Sequence, residues 1–142
     1  MMTPSTSMQD TWSLMGRALI ALVFVPEGVQ KITGFGQTVN YIVAAGVPLP
    51  EVAAAASIVV EVGLGLLLLA GFQTRWVALG IAIYTLVVTF IFHPFWAVPA
   101  AEAMMQRINF FKNLGLVGGL LTIMAWGAGG WSVDGRDHAL EH

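Results

Sequence analysis

The chain has no cysteine among its 142 residues. That absence excludes a dithiol relay, a thiolate nucleophile, an iron–sulfur centre and a disulfide framework, since each is built from thiol sulfur. Histidine is also sparse: His138 falls in a polar tail and His142 is the last residue, so His93 stands alone within an apolar stretch. A haem held between two facing histidines is therefore not expected. No metal site is expected either, because zinc and di-iron centres need a Glu-x-x-His pair or a second buried histidine. Charge is the third shortage. Asp, Glu, Lys and Arg make up 10% of the residues, where a soluble domain carries roughly a quarter. The formal net charge is only −2 and no basic run could track phosphates, so nucleic acid is not an expected partner.

What is present is hydrophobic side chain, at 57% of positions. So little polar surface cannot clothe a water-facing domain, and the lipid bilayer becomes the expected surroundings. Four stretches approach the roughly 20 residues that cross a hydrocarbon core about 30 Å thick: residues 12–29, 51–72, 76–93 and 108–127. Each has to be a helix, because a segment in lipid must satisfy its own backbone hydrogen bonds. The expected fold is an all-α membrane protein, a four-helix antiparallel bundle occupying residues 1–130, with a polar tail over 131–142. Leu140-Glu141-His142 reads as the start of a purification tag. The first span is expected to be retained rather than cleaved as a signal, since no Lys or Arg precedes Thr11 and no small-residue cleavage site follows.

An even number of spans puts both termini on one face. Gln73-Thr74-Arg75 is so short a turn that the second and third spans must be antiparallel neighbours. The longer connections, residues 34–50 and 94–107, fall on the opposite face. Val39, Ile42 and Val43 have helical spacing between Gly36 and Gly46, and Pro99 is well placed to open a short helix through Gln106. Both connections are expected to form short interfacial helices. Gly115 and Gly119 make a G-x-x-x-G pair, which lets helices approach closely, either inside one bundle or between two copies. Arg75 and Arg136 lie on the terminal face and Lys31 and Arg107 on the other, so the basic residues barely favour one orientation.

The informative residues are those that lipid should reject. Arg17, Glu27, Glu61 and Lys112 fall inside apolar stretches, and His93 ends the third. A charge at mid-bilayer costs at least ~3 kcal/mol, so such groups are expected to turn inward and neutralise one another. With a rise of 1.5 Å per residue, Glu61 lies near the midplane and Arg17 roughly 8 Å below the terminal face; an Arg17–Glu61 ion pair is the expectation. Glu27 and Lys31, four apart, share a helix face. Glu27, Glu61, His93, Lys112 and Asn113 all fall in the half of the bundle away from the termini. Two readings of this set stand side by side: the groups pin four helices in register, or they line a cavity that binds a small molecule or passes protons.

The same residues carry a resemblance. Gly16-Arg17, Phe24 and Gly28-x-x-Lys31 are followed by Gly46-x-Pro48-x-Pro50, Glu61 with Gly63 and Gly65, and Gly71-x-x-Thr74-Arg75. His93 and Phe111-Lys112-Asn113-Leu114 before Gly118-Gly119 complete the series. In that order and spacing the chain resembles the DoxX family of four-helix bacterial inner-membrane proteins, from about Trp12 to Gly127. The resemblance implies a bacterial inner (plasma) membrane location with cytoplasmic termini. It also implies a link to quinone-dependent redox complexes, the family being named from a subunit associated with thiosulfate oxidation. Arg17, Glu61, His93, Lys112 and Asn113 match the family's recurring polar set; Glu27 departs from it. The expected function is a quinone-associated subunit that needs a soluble redox partner protein, with Lys112, His93 and Asn113 donating to the ring oxygens and Glu61 relaying a proton. A non-catalytic carrier of a small molecule, or a structural anchor for a soluble enzyme, are the alternatives.

Overall fold

The computed structural model describes residues 6–140; Glu141 and His142 of the expected tag lie outside them. Among the described residues four helices are long and apolar enough to cross a membrane: α1 (Thr6–Thr33), α3 (Pro50–Ala70), α4 (Thr74–Phe92) and α5 (Ala100–Trp126). Two short helices, α2 (Phe35–Ala44) and α6 (Val133–Leu140), follow the first and last of these. The protein is thus an all-α, four-span membrane protein.

Local chemistry sets the boundaries. Gly34 separates α1 from α2. Pro50 opens α3 at a first-turn position, where its missing N–H costs nothing. Gly71 ends α3 in the left-handed conformation, φ 73°, which closes a helix without a Cβ clash. A β-carbon there would also press on the Arg17 guanidinium, 2.9 Å away. The turn is short, so α3 and α4 form an antiparallel hairpin.

The first connection does contain a separate helix. α2 packs across α3, with Ile42 buried and Tyr41 stacked on Phe92 at 5.1 Å. The second does not. Pro99 caps a helix that runs without a break through Gln106 to Trp126, so the anticipated flap is the first turns of α5 itself. Hydropathy falls at Glu102 and Arg107, but both are good helix formers; the apolar run marks a membrane edge, not a helix end.

Phe24, Leu68, Ile81 and Leu120 meet in the core, one from each span. α1 and α3 approach most closely where glycines face the partner. A β-carbon on Gly28 would lie 2.6 Å from Val62 Cγ2 and 2.9 Å from Glu61 Cβ, and one on Gly65 2.8 Å from Val25 Cγ2. Gly28→Leu should therefore lower stability by about 1–3 kcal/mol through overpacking. Gly115→Leu, with nothing within 4 Å of its added β-carbon, should be near neutral. Thermal unfolding in detergent compares the two.

The C-terminal segment is not a loose tail. Asp134 accepts from the Gln73 and Thr74 amides (2.8 and 2.9 Å) and from Thr74 Oγ1 (2.6 Å), supplying the N-terminal cap of α4. Asp10 accepts from the Gly130 amide at 2.6 Å, and Ser13 donates to the Ala128 carbonyl at 2.6 Å. Trp12, Trp76, Trp126 and Trp131 are exposed around this end. At the other end Trp96 packs among Phe90, Phe95 and Phe110. Aromatic rings in these places are the belts expected at the two membrane–water interfaces.

Candidate functional site

α3 does not keep α-helical geometry throughout. Val59–Leu64 forms a π-helical stretch, a rare, wider winding that occurs frequently at functional sites. Glu61 lies inside it. Its side chain is 7% exposed and takes the Lys31 ammonium on both oxygens, 2.8 Å at Oε2 and 3.1 Å at Oε1. The Tyr84 hydroxyl donates to Oε1 at 2.6 Å. One carboxylate thus collects an ammonium from α1 and a phenol from α4. Close contact at Gly28 makes this possible by setting Lys31 one turn beyond the level of Glu61. Exposure is graded along the chain of groups: Glu27 is 60% exposed and 4.0 Å from Lys31, Lys31 is 25% exposed, and Glu61 is buried. A carboxylate, an amine and a phenol thus lie within hydrogen-bond reach in a line from the flank of α1 to the interior.

The expected Arg17–Glu61 pair does not form. Arg17 is fully buried, 0% exposed, and donates to the Leu68 and Leu69 carbonyls at the end of α3 and to the Trp131 carbonyl. A cation at a helix C-terminus satisfies carbonyls that the helix leaves unpaired. Arg17 therefore ties α1, α3 and the C-terminal segment together at the terminal end. Its Nε is the buried side-chain nitrogen without a partner among the described residues.

The remaining candidates do not converge on Glu61. His93 Nδ1 lies 2.7 Å from Gln106 Oε1 and links the end of α4 to α5. Asn113 donates to Thr89 Oγ1 at 3.0 Å, and Thr89 and Thr85 donate to carbonyls one turn back in α4. These groups seal the α4–α5 seam. Lys112 is exposed on α5, its ammonium 3.4 Å from Asn109 Oδ1. The expectation that every buried-stretch charge turns inward fails for Lys112 and Glu27, since α1 and α5 present these flanks outward. Gly119 faces Ile20 of the same chain, 3.6 Å from a β-carbon position, while Gly115 faces open space.

Two partners of Glu61 were missing from the sequence-based site. The sequence pairs Lys31 with Glu27 by spacing, and nothing in it singles out Tyr84 as a partner. Hairpin counting could have found Tyr84: Glu61 precedes the turn residue Phe72 by eleven positions and Tyr84 follows it by twelve.

The match to known proteins agrees with this architecture. A profile of the DoxX family matches residues 12–94. The inner membrane protein YphA of Escherichia coli is 35% identical over 123 residues, covering 87% of this chain and 88% of its own length. The inner membrane protein YqjF of Escherichia coli is 38% identical over 130 residues, covering 89% and 92%. No solved structure matches the chain significantly. On the profile and on two relatives matched almost end to end, the chain belongs to the DoxX family of integral membrane proteins.

Proposed function

We propose that the protein is a quinone-associated membrane subunit whose own contribution is proton handling at Glu61. The observation that carries this is a carboxylate buried in a membrane bundle, at a π-helical stretch, holding both an ammonium and a phenol. Helix register alone needs only the ion pair. A bound quinone would supply two-electron, two-proton chemistry, its electrons coming from a soluble redox partner protein. The donor set suits such a ring, since Tyr84 and Lys31 can donate to oxygen and Glu61 can take or return a proton. Glu27 and Lys31 give that proton a route from the flank of α1.

The membrane in question is the bacterial inner membrane, and the termini face the cytoplasm. Arg75 and Arg136 lie on the terminal side. Opposite them Lys31 is drawn inward to Glu61, which leaves Arg107 as the basic residue at that surface and tips the balance under the positive-inside rule.

Solvent extraction of the purified protein followed by mass spectrometry should find quinone at near-stoichiometric level in wild type. In Glu61→Gln, which keeps the shape and removes the acid, proton uptake on reduction of the bound ring should fall at least tenfold while the quinone still co-purifies. Wild-type protein free of quinone, or a Glu61→Gln variant with unchanged proton uptake, would overturn the proposal.

A further inference from the structure

An open cleft of about 590 Å³ lies at the terminal end of the bundle, within the roughly 300–1,000 Å³ of small-molecule sites. Arg75 and Trp76 at the start of α4 line it, with Trp126 at the end of α5 and the glycine-rich turn of residues 127–130. Asp134 and Asp137 of α6 line it too.

The charges in this cleft are not matched to one another. Asp134 is taken up by α4, since the Gln73 and Thr74 amides and the Thr74 hydroxyl all donate to it. Arg75 and Asp137 have no ion pair and no side-chain hydrogen bond among the described residues. The turn keeps the guanidinium uncrowded. At Gly127, φ 82°, a β-carbon would lie 3.5 Å from Arg75 Nε and 3.8 Å from Nη2. Those two nitrogens form the edge that can grip two oxygens of one phosphate.

An exposed arginine alone is ordinary at a membrane surface. This one is accompanied by Trp76 and Trp126, 70% and 83% exposed, and such rings sit at headgroup level. It also shares its cleft with an unpaired acid. A guanidinium and a carboxylate offered together at that level match a headgroup that carries both an anion and a hydrogen-bonding cation.

We propose that the cleft binds a phospholipid headgroup of the ethanolamine type, its phosphate on Arg75 and its ammonium on Asp137. An anionic headgroup without an ammonium would meet the Asp137 carboxylate with no cation to offset it. A choline headgroup has the positive charge but no N–H to donate. The site shares no residue with Glu61, Lys31 and Tyr84 and does not rest on the quinone reading.

Native mass spectrometry of the full-length chain tests this. Phosphatidylethanolamine, phosphatidylglycerol and phosphatidylcholine with the same acyl chains are added in equal amounts in detergent. Wild type should retain the ethanolamine lipid at least fivefold over either of the others. Arg75→Lys, which keeps the charge and loses the fork, should lower that adduct at least fivefold. Asp137→Asn should abolish the preference over phosphatidylglycerol. Arg136→Gln removes an exposed charge that does not line the cleft and should leave the preference unchanged. Soluble phosphoethanolamine in large excess should not displace the lipid. Equal retention of the three lipids, or more phosphatidylglycerol than phosphatidylethanolamine, would mean charge attraction alone and overturn the site, a result that needs no variant to fold. Equal effects of Arg75→Lys and Arg136→Gln would overturn it as well. Displacement by phosphoethanolamine would overturn the lipid in favour of a soluble phosphate ester.

Discussion

Lys31→Met should cost about 3–5 kcal/mol of unfolding free energy, the range seen when one member of a buried ion pair is removed. Glu61 would keep its place in the π-helical stretch and its bond from Tyr84, but without the ammonium that lies on both its oxygens. Removing both members of the pair separates structure from function. Replacing both residues, Lys31→Met with Glu61→Leu, should restore most of the loss, to within about 1–2 kcal/mol of wild type, because apolar residues often substitute for a buried pair at little net cost. What remains is the Tyr84 hydroxyl left without its acceptor. The double variant should therefore be stable and inactive in proton uptake. Unfolding in mixed detergent gives the three free energies. If the single and double variants are equally unstable, the pair is a structural pin and the proton-handling reading loses its main support.

Arg17→Met should be the other severe change, for a different reason. The guanidinium donates to three carbonyls, two on the last turn of α3 and one on Trp131. Buried hydrogen bonds to a charged group contribute roughly 1.5–3 kcal/mol each, not additively, and a loss of about 3 kcal/mol is expected. The lesion should be local. Amide hydrogen exchange should accelerate at least tenfold over residues 127–136, where Gly130 donates to Asp10 and Asp134 donates to the Gly71 carbonyl. The interior of α4 should be unaffected. Arg17→Lys should recover little, since a single ammonium cannot reach both ends of the fork. Unchanged exchange in Arg17→Met would mean that the guanidinium is not what holds the C-terminal segment.

These expectations show what could be read from the sequence and what could not. Four spans were legible because hydrophobic length is an almost sufficient signal in lipid, yet their ends were not. α1 begins at Thr6 and ends at Thr33, and α5 begins at Ala100, well outside the apolar runs, since helices continue past a membrane edge. That Glu61 is buried followed from depth alone. Its partner did not, because Arg17 and Lys31 are fourteen residues apart and share a face of α1 to within about 40°. Periodicity cannot choose between them; the level of the α1–α3 contact does. Gly28 sits against Glu61, which leaves Lys31 three residues away and Arg17 eleven, about 16 Å along the helix. The π-helical stretch has no sequence signature here. Lys112 was misread because an apolar stretch was treated as if every face of it were interior.

Carboxyl labelling tests the central arrangement most directly. Wild type and Lys31→Met, in lipid, are exposed to a lipid-soluble carbodiimide and the modified carboxyls are mapped by peptide mass spectrometry. With Glu61 enclosed and both its oxygens occupied, wild type should be labelled at Glu27 and left intact at Glu61, and Lys31→Met should become labelled at Glu61. Labelling of Glu61 in wild type as fast as Glu27 would contradict the account.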